Sequence, residues 1–166
     1  MAAVLSVSKN EYSDLPELLK VYAAARDIMR ASGNAKQWEG CYPPEDMLRS
    51  DIELGVGNVV VDENGSIVGA FAFITGIDPT YVVIENGKWL NDLPYGTIHR
   101  LASNGTSRGI LSAALNYGLQ YRDNIRIDTH EDNSIMRGIL PKYGFTYCGI
   151  IHLANGDPRL AYQYVK

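Results

Sequence analysis

Residues 98–121 read IHRLASNGTSRGILSAALNYGLQY. The stretch changes character twice. Residues 97–103 read as a strand, Asn104-Gly105 as a turn, and residues 109–121 as a helix with Leu111, Ala114, Leu115, Gly118 and Leu119 on its apolar side. A turn that feeds a helix start is a natural anion site. The first amides of a helix lack internal partners, and the helix dipole favours negative charge there. Glycine lets a ligand approach the backbone closely, and this turn carries Gly105 and Gly109. Thr106, Ser107 and Ser112 add hydroxyls, and Arg108 adds a cation.

Working outward, residues 125–129 (IRIDT) predict a strand. A helix opening at Asn133 follows, carrying Ile135, Met136, Ile139, Leu140 and Tyr143, with Gly144 closing it. Residues 146–153 and 159–165 read as two last strands around a turn at 154–157. Upstream, residues 4–7 predict a first strand, and Leu15, Leu18, Leu19, Tyr22 and Ile28 follow helical spacing. Pro44 opens a second short helix through Leu54. Residues 58–62 and 66–75 form a strand pair around Asn64-Gly65, a dipeptide that tolerates tight hairpin geometry. The order predicts an α/β fold: one domain over residues 1–166, with a mixed sheet and helices on its faces. Residues 97–129 form the parallel crossover.

Residues 95–147 resemble the cofactor half of the GNAT acetyltransferase superfamily, whose members carry a strand, a loop of the form [RQ]xxGx[GA], a helix, a strand, a helix opening near Asn, and a Gly-Phe pair. Here those parts read IHRLAS, TSRGIL, SAALNYGLQY, IRIDTHED, NSIMRGILPKY and GF. Thr106 stands where the family usually has Arg or Gln, and Leu111 where it prefers Gly or Ala.

The resemblance implies a sheet whose parallel central strands splay apart, acetyl-CoA as acetyl donor, and N-acetyl transfer to an amine. It assigns backbone pairing with the pantetheine arm to Leu101 and Ser103. The amides of Thr106, Ser107, Arg108, Gly109, Ile110 and Leu111 would hold the pyrophosphate, helped by Ser112 and Arg108. Asn133 and Met136 would border the arm's far side. Trp38, Tyr42 and Trp89 fall in segments that shape the acceptor pocket in this family, which is also commonly homodimeric.

Transfer to an amine needs an acceptor for the amine proton, polarisation of the thioester carbonyl and an acid for the thiolate. Asp128 occupies the strand after the cofactor helix, and burial there would raise its pKa toward that of a useful base. His99 and His130 are the other candidates, since imidazole titrates near neutrality. A His99–Asp128 pair across adjacent strands is geometrically plausible. Pairing of Asp128 with Arg126, Arg100 or a loop amide is the structural alternative. Many GNAT enzymes place an acidic tyrosine five residues before the Phe of Gly-Phe, and here that position is Leu140. An acyl-CoA-binding module without turnover is therefore the competing expectation.

Composition narrows the partners. The 166 residues carry 15 Lys and Arg against 19 Asp and Glu, a net charge of −4 with no basic run, which argues against a nucleic-acid backbone. Cys41 and Cys148 supply neither a disulfide framework nor a CxxC metal pair, so no metal is expected. No apolar stretch approaches the ~20 residues of a membrane span, and the N-terminus lacks a signal-peptide pattern. The expectation is a cytoplasmic enzyme acting on a small-molecule or peptide amine.

Overall fold

The computed structural model describes residues 4–166. Its central packing follows from the two-residue period of strands. In strand β2 (Gly57–Val61), Val59 and Val60 face opposite sides of the sheet and enter different cores. Ala70 and Phe71 of β3 (Ile67–Thr75) repeat the alternation, as do Leu101 and Ala102 of β4 (Gly96–Ser103).

Helix α1 (Leu15–Ala31) covers the first face. It buries Leu15, Leu18, Val21, Tyr22 and Ala25 against Val59, Ala70 and Ala102, joined by Leu48 of α2 (Glu45–Leu54). Helix α3 (Ile110–Gly118) covers the second face with Ile110, Leu111, Ala114 and Leu115, packed among Val60, Phe71, Phe73, Ile98, Ile125 and Ile127. Each fully buried Leu or Ile contributes about 1.5–3 kcal/mol relative to exposure. Gly118 lets α3 sit close, because a Cβ there would meet the Phe73 ring at 2.7 Å.

The remaining elements are β1 (Ser6–Lys9), β5 (Asn124–Thr129), α4 (Ser134–Ile139), β6 (Thr146–His152) and β7 (Pro158–Val165). The seven strands form one sheet in the order β1-β2-β3-β4-β5-β7-β6. Among the described residues only β4 and β5 run parallel; every other neighbour pair is antiparallel. The molecule is thus a single-domain α/β fold with a mixed sheet flanked by helices.

Three expectations are corrected. The first strand lies at Ser6–Lys9 rather than at residues 4–7, because pairing with Asn58 to Val61 of β2 sets its register. The cofactor helix ends at Gly118, short of Tyr121. The helix after Asn133 stops at Ile139, and Pro141, which has no amide to donate, starts a separate 3-10 turn, Pro141–Tyr143. Leu140 between them is fully buried.

Candidate active site

The parallel ladder between β4 and β5 has two registered pairs, Gly96 with Ile125 and Thr97 with Arg126. Beyond them the strands part. On its other side β4 stays paired to β3 as far as Ser103 opposite Gly69. The edge of β4 facing β5 is therefore open from Ile98 onward, a row of backbone groups that an extended ligand can pair with.

A bulge re-aims β4 at this point. Arg100 adopts a left-handed φ of 53°, and the β3 register slips between Ala70 and Ala72 opposite it. Two contacts hold the bulge. The Arg100 guanidinium donates to both oxygens of Asp51, at 3.0 and 2.8 Å, and the buried Tyr22 hydroxyl donates to the Arg100 carbonyl at 2.8 Å.

Past β4 the chain turns on its own side chains. Ser103 Oγ accepts from the Gly105 amide at 3.1 Å. Asn104 Oδ1 accepts from the amide and hydroxyl of Thr106, at 3.0 and 2.6 Å. The Thr106 hydroxyl is thereby spent on the turn. Gly109 then takes φ 91° as the residue before α3, a conformation that favours glycine. The amides of residues 107–112 find no acceptor among the described residues. They open the helix beside a cavity of about 390 Å³ lined by Leu101, Ser103, Ser107, Arg108, Gly109, Ile110 and Leu111, with Met136, Ile139 and Tyr143 opposite. A Cβ built on Gly109 would meet only Leu5, at 3.7 Å, so the space in front of this backbone is open. Free amides, an adjoining cation and an open strand edge fit an extended phosphate-bearing ligand such as acetyl-CoA. Leu111 directs its bulk into the core and is 4% exposed, so it crowds the loop mouth less than its size suggests. Thr106 and Ser112 lie outside the residues lining the cleft.

The cleft continues past Leu101, Ser103 and Met136 into a larger space of about 650 Å³. His99, Asp128, Trp38, Tyr42 and Asn133 all border it. The Trp38 ring packs between Tyr22 and Tyr42, at centroid distances of 5.7 and 6.0 Å. Asn133 caps α4, accepting from the Met136 amide at 3.0 Å, and donates to Gln37 at 2.9 Å. Gln37 Oε1 also takes the Thr129 hydroxyl at 3.3 Å, tying the loop after α1 to the far wall.

The anticipated His99–Asp128 pair is replaced by two separate pairs. His99 Nε2 lies 3.0 Å from Asp78, and Asp128 accepts a 2.6 Å bond from the Tyr81 hydroxyl. Burial pushes the Asp78 carboxyl up, but His99 and the Thr80 hydroxyl and amide outweigh it and bring the pKa to about 2. Asp128 goes the other way. Loss of hydration raises its pKa, only partly offset by the Tyr81 bond and by the charges of His99 and Arg159. Neither Arg100 nor Arg126 pairs with it: Arg100 is held by Asp51, and Arg126 stacks over Trp89 and Tyr95 at 4.0 and 3.9 Å.

Two sequence candidates stand apart. His130 Nδ1 accepts from the Asp132 amide at 2.9 Å, so that lone pair serves a turn, and His130 does not line the cleft. Trp89 donates its indole N–H to the Tyr81 carbonyl at 2.8 Å and buttresses Tyr81 from outside the cleft. Asp78, Tyr81, Gln37 and Arg159 were not anticipated. Asp78 and Tyr81 belong to the connection between β3 and β4, whose path across the sheet no local pattern encodes. The pairing of Thr75 with Gly96 would have returned that loop to the site.

The fold as a whole has counterparts among solved structures. A GNAT-family acetyltransferase from Streptococcus agalactiae is 32% identical, over 98% of this chain and 95% of that one, with a TM-score of 0.86. The chain belongs to the GNAT acetyltransferase family. A GNAT-family acetyltransferase from Listeria monocytogenes is 19% identical over 100% and 99% of the two chains, with a TM-score of 0.71. A chain from the NatC complex bound to Gag peptide and CoA shares the fold at 15% identity over 100% and 99%, TM-score 0.57. No protein-family model and no curated protein matches this GNAT chain.

Proposed function

We propose that this GNAT protein transfers an acetyl group from acetyl-CoA to a primary amine, with Asp128 as proton acceptor. The observation that carries the reading is the continuous cleft. It joins the free amides of residues 107–111 to a carboxylate of raised pKa at the point where β4 leaves β5. The CoA held by the NatC complex is consistent with the same use of the fold here.

Acetyl-CoA supplies an activated thioester. The residues around it have separable tasks. The edge of β4 at Leu101 and Ser103 aligns the arm, the loop amides and Arg108 take the diphosphate, and Met136 and Asn133 close the far side. Asp128 removes a proton from the incoming ammonium. The neutral nitrogen then attacks the thioester carbon and gives up its second proton to water. The C–S bond breaks and the thiolate leaves protonated by water, so that an amide and a free thiol result. His99, fixed by Asp78, borders the same space and keeps it polar.

A second reading has its own support. Leu140, at the position where many GNAT enzymes carry an acidic tyrosine, is fully buried and has no proton to give. On that reading the protein binds acyl-CoA without turnover. Following free thiol from acetyl-CoA, with and without a panel of amines, separates the two. Amine-dependent thiol release supports the transferase. Tight binding with no release from any amine supports the binding module.

A further inference from the structure

Three arginines lie largely inside this fold, and two have evident partners. Arg100 is gripped by both oxygens of Asp51. Arg126 donates to the Asn91 carbonyl at 2.9 Å and stacks over two aromatic rings. Arg159 differs. It is 6% exposed and lines the larger part of the cleft, and its hydrogen bond runs to the carbonyl of its own neighbour, Pro158, at 2.9 Å. Among the described residues no carboxylate stands within ion-pair distance of it. Asp157, the nearest acid in sequence, is exposed and bonds Asn155 instead.

A largely buried guanidinium with no carboxylate within ion-pair distance is only partly compensated by the more distant Asp128, and a bound anion would relieve the remaining cost. Its position says what kind of anion. In the β5–β7 ladder Asp128 stands opposite Ala161. Opposed residues share a face, and so does the residue two further along, Arg159. The cation and the carboxylate are thus diagonal neighbours on one face, with backbone positions roughly 7–8 Å apart. Asp128 has one oxygen engaged by Tyr81, and Arg159 has most of its donor fork unengaged.

We infer that Arg159 anchors a carboxylate of the acceptor, and that the acceptor is a small amine of the amino-acid type. Its amino group lies toward Asp128 and its carboxylate toward Arg159. The planar guanidinium fork matches a carboxylate bidentately, a geometry that an ammonium side chain would not reproduce. Trp38 and Tyr42 form the apolar wall for the rest of the molecule. This deepens the acetyltransferase reading and rests on it for the reaction, while the binding claim is measurable separately.

The test is calorimetric titration of the CoA-loaded protein with each of the twenty amino acids, and of every binder's carboxamide. At least one amino acid binds, and its carboxamide binds on the order of 10- to 100-fold more weakly. Arg159→Gln loses affinity for the acid by a similar factor and no longer separates acid from amide, while Arg159→Lys recovers part of it. Equal binding of acid and amide to the wild type, undiminished binding to Arg159→Gln, or no binding of any amino acid overturns the proposal. Should Arg159→Gln not fold, the acid–amide comparison in the wild type decides. Thiol release measured on the same mixtures separates the two claims. Acid-selective binding without turnover removes the transferase reading and leaves the carboxylate anchor standing.

Discussion

Asp128 and Asp78 are both aspartates bordering one cleft, and their surroundings drive them apart. Asp128 faces loss of hydration with one hydroxyl donor, and its pKa rises. Asp78 meets the same penalty but gathers His99 and both donors of Thr80, and falls to about 2. The difference yields two tests of opposite sign. Asp128→Asn keeps the size and an acceptor for Tyr81 but cannot take a proton. Turnover should drop about 10²- to 10⁴-fold with acetyl-CoA affinity little changed. In the wild type the acid limb of the rate profile should lie above the ordinary carboxylate range of about 4, and it should vanish in the variant. A retained limb would assign the base elsewhere. In stability terms a raised folded pKa favours the protonated form, so ionised Asp128 costs stability at neutral pH, and Asp128→Asn should not lower the melting temperature there. Asp78 has a depressed folded pKa, so its contribution is present above about pH 4 and fades as pH falls toward about 2. Asp78→Asn should therefore destabilise at pH 7 and converge with the wild type near pH 2 in thermal melts. Parallel curves at all pH values would show that Asp78 is not held as an anion.

At the scale of the element, β4 is where the fold becomes a site. Its Arg100 bulge turns the strand away from regular pairing, and the bulge is held by Asp51 of α2. The paired side chains are 13% and 9% exposed, so Asp51→Ala leaves a guanidinium nearly buried and alone. The expected loss is about 3–5 kcal/mol in denaturant unfolding, accompanied by weaker acetyl-CoA binding as β4 relaxes. A loss under about 1 kcal/mol would show that the bulge stands on its backbone alone. The sequence made much of this element legible. The strand, the turn and the helix start could be read from 97–121, because alternation, Asn-Gly chemistry and helical spacing are local signals. The bulge could not, since Arg100 carries no mark of a left-handed φ and Asp51 is remote in sequence. The place of Asp128 on its strand was readable, whereas Tyr81 reaches Asp128 through the β3–β4 connection and Arg159 reaches the cleft through the β5–β7 ladder. The helix expected to run from Asn133 through Tyr143 passed over Pro141, whose missing amide ends α4 early and leaves Tyr143 on the phosphate side of the cleft.

Across the whole molecule, the sheet is continuous but unevenly tied. β1 to β4 with α1 and α2 form one half, and β5, β7 and β6 the other, and the two halves share the short β4–β5 ladder at Gly96 and Thr97. Above that ladder, Gln37 reaches across to Thr129 and Asn133. A ligand lying in the cleft, paired to β4 on one side and packed on Met136 on the other, adds a further tie between the two walls above the ladder. Because it needs both walls in place, it binds the folded chain and not the unfolded one. At 100 times its dissociation constant such a ligand adds about 2.7 kcal/mol. For a chain of this size each kcal/mol moves the midpoint by about 2–4 °C, so acetyl-CoA should raise the melting temperature by roughly 5–10 °C. The gain should be local as well as global. Amide exchange should slow along β4 beyond Ile98 and at residues 107–112, whose amides lack acceptors in the free protein, and change least in β1 and β6. A melt unmoved by saturating acetyl-CoA, or protection spread evenly over the sheet, would show that the cleft is not where the acetyl donor sits.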